Sequence, residues 1–72
     1  MTREDFLMEI QEILQVETKL SPETNLLDLD EWDSLAMILT ISFLDEKFGV
    51  KASSKTMQDL DTIEDIMKLA HL

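Results

Sequence analysis

Only one glycine and one proline punctuate the 72 residues. A chain so poor in turn residues cannot make the repeated tight reversals of a small β fold. Its apolar residues recur instead at helical spacing, and that spacing predicts four helices, at residues 3–16, 34–48, 53–58 and 62–71. Thr2 is the N-cap expected for the first helix, with Asp5 where an acid favours a helix start. Phe6, Ile10, Ile13 and Leu14 make its apolar face, widened by Leu7 and Met8. In the second helix Met37, Ile41, Leu44 and Phe48 fall at i, i+4, i+7 and i+11, an inward stripe, and Gly49 is a good left-handed cap. The third helix is short and starts near Ser53 and Ser54. The fourth carries Ile63, Ile66, Met67 and Ala70, with Asp61 and Glu64 as a capping-box pair. Residues 17–33 form a connection that is long for so small a domain and must be pinned. Leu20, Leu26, Leu27 and Leu29 are the side chains to pin it. The expected architecture is all-α: a single domain over residues 1–72, folded as a four-helix bundle of three main helices and one short one, with the long loop between the first and second.

The chain carries 16 acidic against 6 basic side chains, a formal net charge of -10. That sign repels phosphate backbones and argues against a nonspecific nucleic-acid binder. The excess is uneven. Between Lys19 and Lys47 there is no basic residue, while Glu23, Asp28, Asp30, Glu31, Asp33, Asp45 and Glu46 fall in that interval. Such a run is a solvated face or a surface that steers basic partners. Asp28, Asp30, Glu31 and Asp33 do not make an EF-hand loop, since Trp32 takes the fifth position, Asp33 replaces the glycine, and no closing Glu follows. No metal ligand set is expected. A hydrophobic content of 44% argues against disorder. No apolar run approaches a membrane span and no signal-peptide pattern opens the chain, so a cytoplasmic monomer without membrane insertion is expected. With no cysteine, no tyrosine and only His71, acid–base chemistry would rest on carboxylates alone, and an enzyme is not expected.

The informative stretch is Glu31-Trp32-Asp33-Ser34-Leu35. A Ser or Asp before an apolar helical run is most often an N-cap. A helix N-terminus also offers free N–H groups and a positive dipole end, which stabilise an attached phosphate. Leu35 and Ile38, with Ser42, lie off the core stripe, on the serine's side of the second helix. Rimmed by Asp45 and Glu46, they form a candidate docking surface. Trp32 is a candidate partner contact, although a loop Trp in a small helical domain more often packs over the core. Met57, near the third helix, is a candidate lining for a route taken by a bound apolar chain.

These residues resemble the acyl carrier protein family, which includes peptidyl and aminoacyl carriers. Asp33-Ser34-Leu35 matches the family's modification triplet, preceded by Trp32 as in a common variant. Asn25-Leu26, Glu46-Lys47-Phe48-Gly49-Val50 and Thr62-Ile63-Glu64-Asp65 also resemble family positions, so the likeness spans essentially the whole chain. It implies a freestanding carrier, not an enzyme, with the family's four-helix fold. Ser34 would bear 4'-phosphopantetheine, delivered from coenzyme A by a Mg2+-dependent phosphopantetheinyl transferase. Asp33 would support that transfer, with Leu35 beside it in the cofactor site. The arm's thiol would hold acyl or aminoacyl groups as thioesters in fatty acid, polyketide or nonribosomal peptide biosynthesis. Leu35, Ile38, Ser42, Asp45 and Glu46, with Trp32, would face partners: the transferase, an activating ligase and downstream synthases. Glu31 stands where fatty-acid-synthesis carriers usually have Gly, Ala36, Leu39 and Thr40 replace acids expected in the second helix, and Ala52-Ser53-Ser54 lacks the acids often found before the third. These departures suggest a specialised secondary-pathway carrier. The alternatives are a D-alanyl or other aminoacyl carrier, and an unmodified acidic adaptor for a basic protein.

Overall fold

The computed structural model describes the whole chain, Met1–Leu72. Four helices appear in the expected order: α1 (Arg3–Leu14), α2 (Ser34–Phe48), α3 (Ser54–Gln58) and α4 (Ile63–Leu69), with one 3-10 turn, Leu26–Asp28, inside the long connection. No helix is long and apolar enough to cross a membrane.

Side-chain caps set where the helices start. Thr2 Oγ1 accepts from the Asp5 N–H at 3.0 Å, and Asp5 Oδ2 accepts from the Thr2 N–H at 3.4 Å, a reciprocal box that opens α1. Left-handed residues set where three of them stop. Gln15 adopts φ 56°, and the N–H groups of Gln15 and Val16 turn back to the Glu12 and Gln11 carbonyls. The helix therefore ends at Leu14, two residues before the expected boundary. In the same way His71 at φ 61° lets the Leu72 N–H reach the Met67 carbonyl at 2.9 Å, ending α4 at Leu69. Gly49, at φ 67°, closes α2 as predicted.

The inward face of α2 differs from the predicted stripe. Ala36, Thr40, Phe43 and Leu44 are buried, while Met37, Ile41 and Phe48 are only partly buried at its flank. Because α2 is apolar on nearly every side, apolar spacing alone did not distinguish its inner row, which includes a small and a polar residue. Thr40 is fully enclosed and its hydroxyl donates to the Ala36 carbonyl at 2.8 Å, so burial leaves nothing unpaired. Phe6 of α1 meets Phe43 and Phe48 of α2 at centroid distances of 5.5 and 5.8 Å, tilted contacts of the favourable kind. Met57 is fully buried in the same core.

The long connection is pinned to the start of α4. The Leu26 N–H donates to Asp61 C=O at 2.8 Å, the Ile63 N–H to Thr24 C=O at 3.1 Å, and the Glu64 N–H to Pro22 C=O at 2.8 Å. Leu20 and Leu26 are buried and Leu29 partly so. Leu27 is not one of the pins, since it is 71% exposed. Asn25 Oδ1 accepts from the Leu27 N–H at 2.9 Å and opens the 3-10 turn, in which only Leu26 turns inward. The capping pair of α4 is shifted by one residue from the expected Asp61 and Glu64. Thr62 is the N-cap residue, and the Asp65 carboxylate accepts from the N–H groups of Asp61 (2.9 Å) and Thr62 (3.1 Å). Those two hydrogen bonds, with a smaller contribution from Lys68, hold Asp65 below the usual carboxylate range. Glu64 instead pairs with Arg3 at 2.6 Å.

Candidate functional site

The entry to α2 is fixed from the loop side. The Trp32 N–H donates to Leu29 C=O at 3.1 Å and the Asp33 N–H to Glu31 C=O at 3.0 Å. The Trp32 side chain belongs to the core cluster, and the residue is only 8% exposed. It anchors the loop, which corrects its inclusion among the partner-facing residues. Asp33 is left extended at φ -116°, with Oδ1 accepting from the Ala36 N–H at 2.9 Å and its carbonyl accepting from the Met37 N–H at 3.0 Å. Asp33 is therefore the N-cap, and Ser34 is the first helical residue.

The capping role thus belongs to Asp33 and not to Ser34. Its hydroxyl is not needed as a cap; it is exposed and has no hydrogen-bond partner in the chain. The N–H groups of Ser34 and Leu35 also have no acceptor, as befits the first turn of a helix. An exposed hydroxyl beside two open N–H donors at the positive end of a 15-residue helix suits a phosphate ester. The other serines are placed differently. Ser21 Oγ lies 3.2 Å from Thr24 Oγ1, and Ser53 Oγ lies 3.1 Å from Thr56 Oγ1. Ser42 sits mid-helix in α2, and Ser54 begins a helix of only 5 residues.

Beyond the serine, α2 presents Leu35, Ile38 and Leu39 outward at 64%, 57% and 43% exposure, with Ser42 also exposed. Leu39 was noted in the sequence only as a missing acid. Its spacing of four from Leu35 is the signal that would have placed it on this face. The acids divide into two groups. Asp28, Asp30, Glu31 and Asp33 are exposed before the helix, and no group of acids and histidines is arranged to hold a metal ion. At the far end Asp45 pairs with Lys51 at 2.7 Å, whereas Glu46 is exposed with no ion pair.

Trp32 excepted, the predicted site residues lie along one side of α2, from Asp33 and Ser34 at its start to Asp45 and Glu46 near its end. The arrangement combines an exposed, unpartnered serine hydroxyl with an uncovered apolar surface next to it. A family model described as a phosphopantetheine attachment site matches residues 4–70. No curated protein and no solved structure matches the chain. Proteins of this family are non-catalytic carriers that work with a phosphopantetheinyl transferase and with biosynthetic enzymes. With the match spanning nearly all of its length, the chain belongs to the phosphopantetheine-attachment family of acyl and peptidyl carriers, and its prosthetic group is a covalent 4'-phosphopantetheine.

Proposed function

We propose that Ser34 is the attachment residue and that the chain carries acyl or aminoacyl thioesters for a specialised biosynthetic pathway. The single observation that carries this reading is the free, exposed hydroxyl of Ser34, with Asp33 taking over the capping role. Loading forms a phosphodiester between Ser34 Oγ and the phosphopantetheine phosphorus. It breaks the pyrophosphate bond of coenzyme A, releases adenosine 3',5'-bisphosphate, and passes the hydroxyl proton to a base of the transferase or to water. The arm supplies the thiol that the cysteine-free chain lacks. The role of Asp33 is to hold the first turn of α2, and with it the Ser34 N–H and Leu35 N–H, in place for the phosphate.

Leu35, Ile38 and Leu39, with Ser42, form the surface that partner enzymes grip, and Glu46 adds charge at its far end. The first two turns of α2 contain no charged side chain. Partners of this carrier accordingly need an apolar recess more than a basic patch along these turns. The uncharged first turns and Glu31 before the triplet support a secondary pathway over housekeeping fatty acid synthesis.

The test is transferase treatment of the wild type and of Ser34→Ala in parallel with coenzyme A and Mg2+. The wild type gains the mass of one phosphopantetheine, and Ser34→Ala gains none while keeping its helical circular-dichroism spectrum. Modification retained in Ser34→Ala would overturn the assignment. Loading of the modified wild type with a panel of purified acyl- and aminoacyl-activating ligases then identifies the cargo.

A further inference from the structure

Three recesses mark the surface, and one of them borders the residues that flank Ser34. It lies between the end of α1 and the start of α2. Its apolar lining is Ile13 and Leu14 from α1 and Leu35, Ala36 and Leu39 from α2; its polar residues are Gln15, Glu31 and Asp33. Its volume is about 170 Å³, below the roughly 300 Å³ at which small-molecule sites begin. A cleft of this size takes a group of a few carbon atoms, not a free ligand.

We propose that this cleft holds the pantoyl segment of the prosthetic group, so that the loaded arm rests folded back over α1. The proposal rests on Ser34 being the attachment residue. Its occupant is identified by tethering and by chemistry. In 4'-phosphopantetheine a single methylene separates the phosphate oxygen from a quaternary carbon bearing two methyl groups, the first apolar group along the arm. Ser34 does not itself line the cleft, but its two chain neighbours, Asp33 and Leu35, both do. Covalent attachment raises the arm's local concentration to about the millimolar range, so a weak apolar contact suffices to localise it. The polar side of the cleft suits the next atoms of the arm, a hydroxyl and an amide. The Gln15 carboxamide both donates and accepts, and the Asp33 carboxylate accepts. Gln15 is placed there by its left-handed backbone at the end of α1. On the opposite flank of α2, Met37 and Ile41 are packed partly into the core and Met57 is fully buried, and none of the three recesses includes them.

The consequence is directional: the thiol starts its excursions from the α1 side, not from between α2 and α3. Nuclear magnetic resonance on methyl- and amide-labelled full-length protein, before and after complete loading, tests this. Intact mass first establishes one adduct on Ser34. The expected result is a set of nuclear Overhauser contacts from the arm's geminal methyls to the methyls of Ile13 and Leu39, with a shifted Gln15 side-chain amide. Leu39→Asn, once loaded and shown to be folded, loses those contacts. A Ser34 adduct without contacts to Ile13 and Leu39, or with contacts to Met37 and Ile41 instead, overturns the proposal and leaves the attachment assignment standing. Folded protein with no adduct on Ser34 overturns both, and the mass spectrum distinguishes that case.

Discussion

At the start of α4 the Asp65 carboxylate takes the N–H groups of Asp61 and Thr62, Glu64 pairs with Arg3, and backbone hydrogen bonds join the segment to Pro22, Thr24 and Leu26. At the start of α2 one carboxylate, Asp33, takes one N–H, and the neighbouring donors of Ser34 and Leu35 have no acceptor. The first turn of α4 carries Glu64 and Asp65, whereas the first turn of α2 carries no acid. Behind α4's cap, Ile63, Ile66 and Met67 are fully buried; behind α2's, Leu35 and Ile38 face water. The difference separates a helix start closed by its own chain from one that its own chain leaves open. Where a chain this small leaves donors and large apolar side chains uncovered together, the arrangement points to something that binds there.

The sharpest way to break the comparison is to remove the closed cap. Asp65→Ala is expected to lower stability by about 1–2 kcal/mol, read in a denaturant titration, because it leaves two N–H groups without their acceptor and loosens the loop they hold. A loss no larger than that of an ordinary surface substitution would show that the two helix starts are energetically alike. The same residue sets an acid-side signature. Its folded-state pKa lies below that of the unfolded chain, so its stabilisation is complete above the ordinary Asp value of about 3.9 and is lost as the pH falls through the lowered folded value. In that acid window the wild type should lose stability more steeply than Asp65→Asn. Parallel acid titrations followed by circular dichroism check this.

Asp33→Ala should cost somewhat less, roughly 1 kcal/mol for one cap bond, and it should also slow loading of Ser34 because the first turn of α2 frays. Equal loading rates in the variant and the wild type would limit Asp33 to a structural role. Added salt or Mg2+ should raise the melting temperature by less than either substitution lowers it. The formal charge of -10 repels itself, and the acids before α2 have no cation nearby in sequence. A melt unresponsive to both would contradict that. The smallest effect on stability belongs to Leu35→Ser and Ile38→Ser, expected within about 0.5 kcal/mol of wild type because both positions already face water. Their loss should instead appear as weaker capture by the transferase or a ligase, a split between stability and recognition that no substitution in the α4 cap should show.

Much of this asymmetry was legible in the residues. The four helices, the Thr2 and Gly49 caps and the exposure of Ser34, Leu35 and Ile38 follow from spacing and from a few capping residues. What was not legible has physical causes. The inner row of α2 escaped because apolar spacing ignores Ala36 and Thr40, whose fit inward depends on how closely α1 and α3 approach. Leu26 and Leu27 are chemically identical neighbours, and only the 3-10 turn opened by Asn25 decides which one is buried. The α4 cap slipped by one residue because Asp61, Thr62, Glu64 and Asp65 satisfy the same pattern in two registers. The cleft beside Ser34 joins residues some twenty positions apart, and sequence spacing cannot report their closeness.

The central claim is that Ser34, freed from capping by Asp33, is where the prosthetic group is attached. The most direct measurement is fragment mapping by mass spectrometry after complete reaction with coenzyme A, Mg2+ and a broad-specificity phosphopantetheinyl transferase. The account predicts one phosphopantetheine, located on Ser34 and absent from Ser21, Ser42, Ser53 and Ser54. An adduct mapped to another serine, or folded protein that stays unmodified, would contradict it.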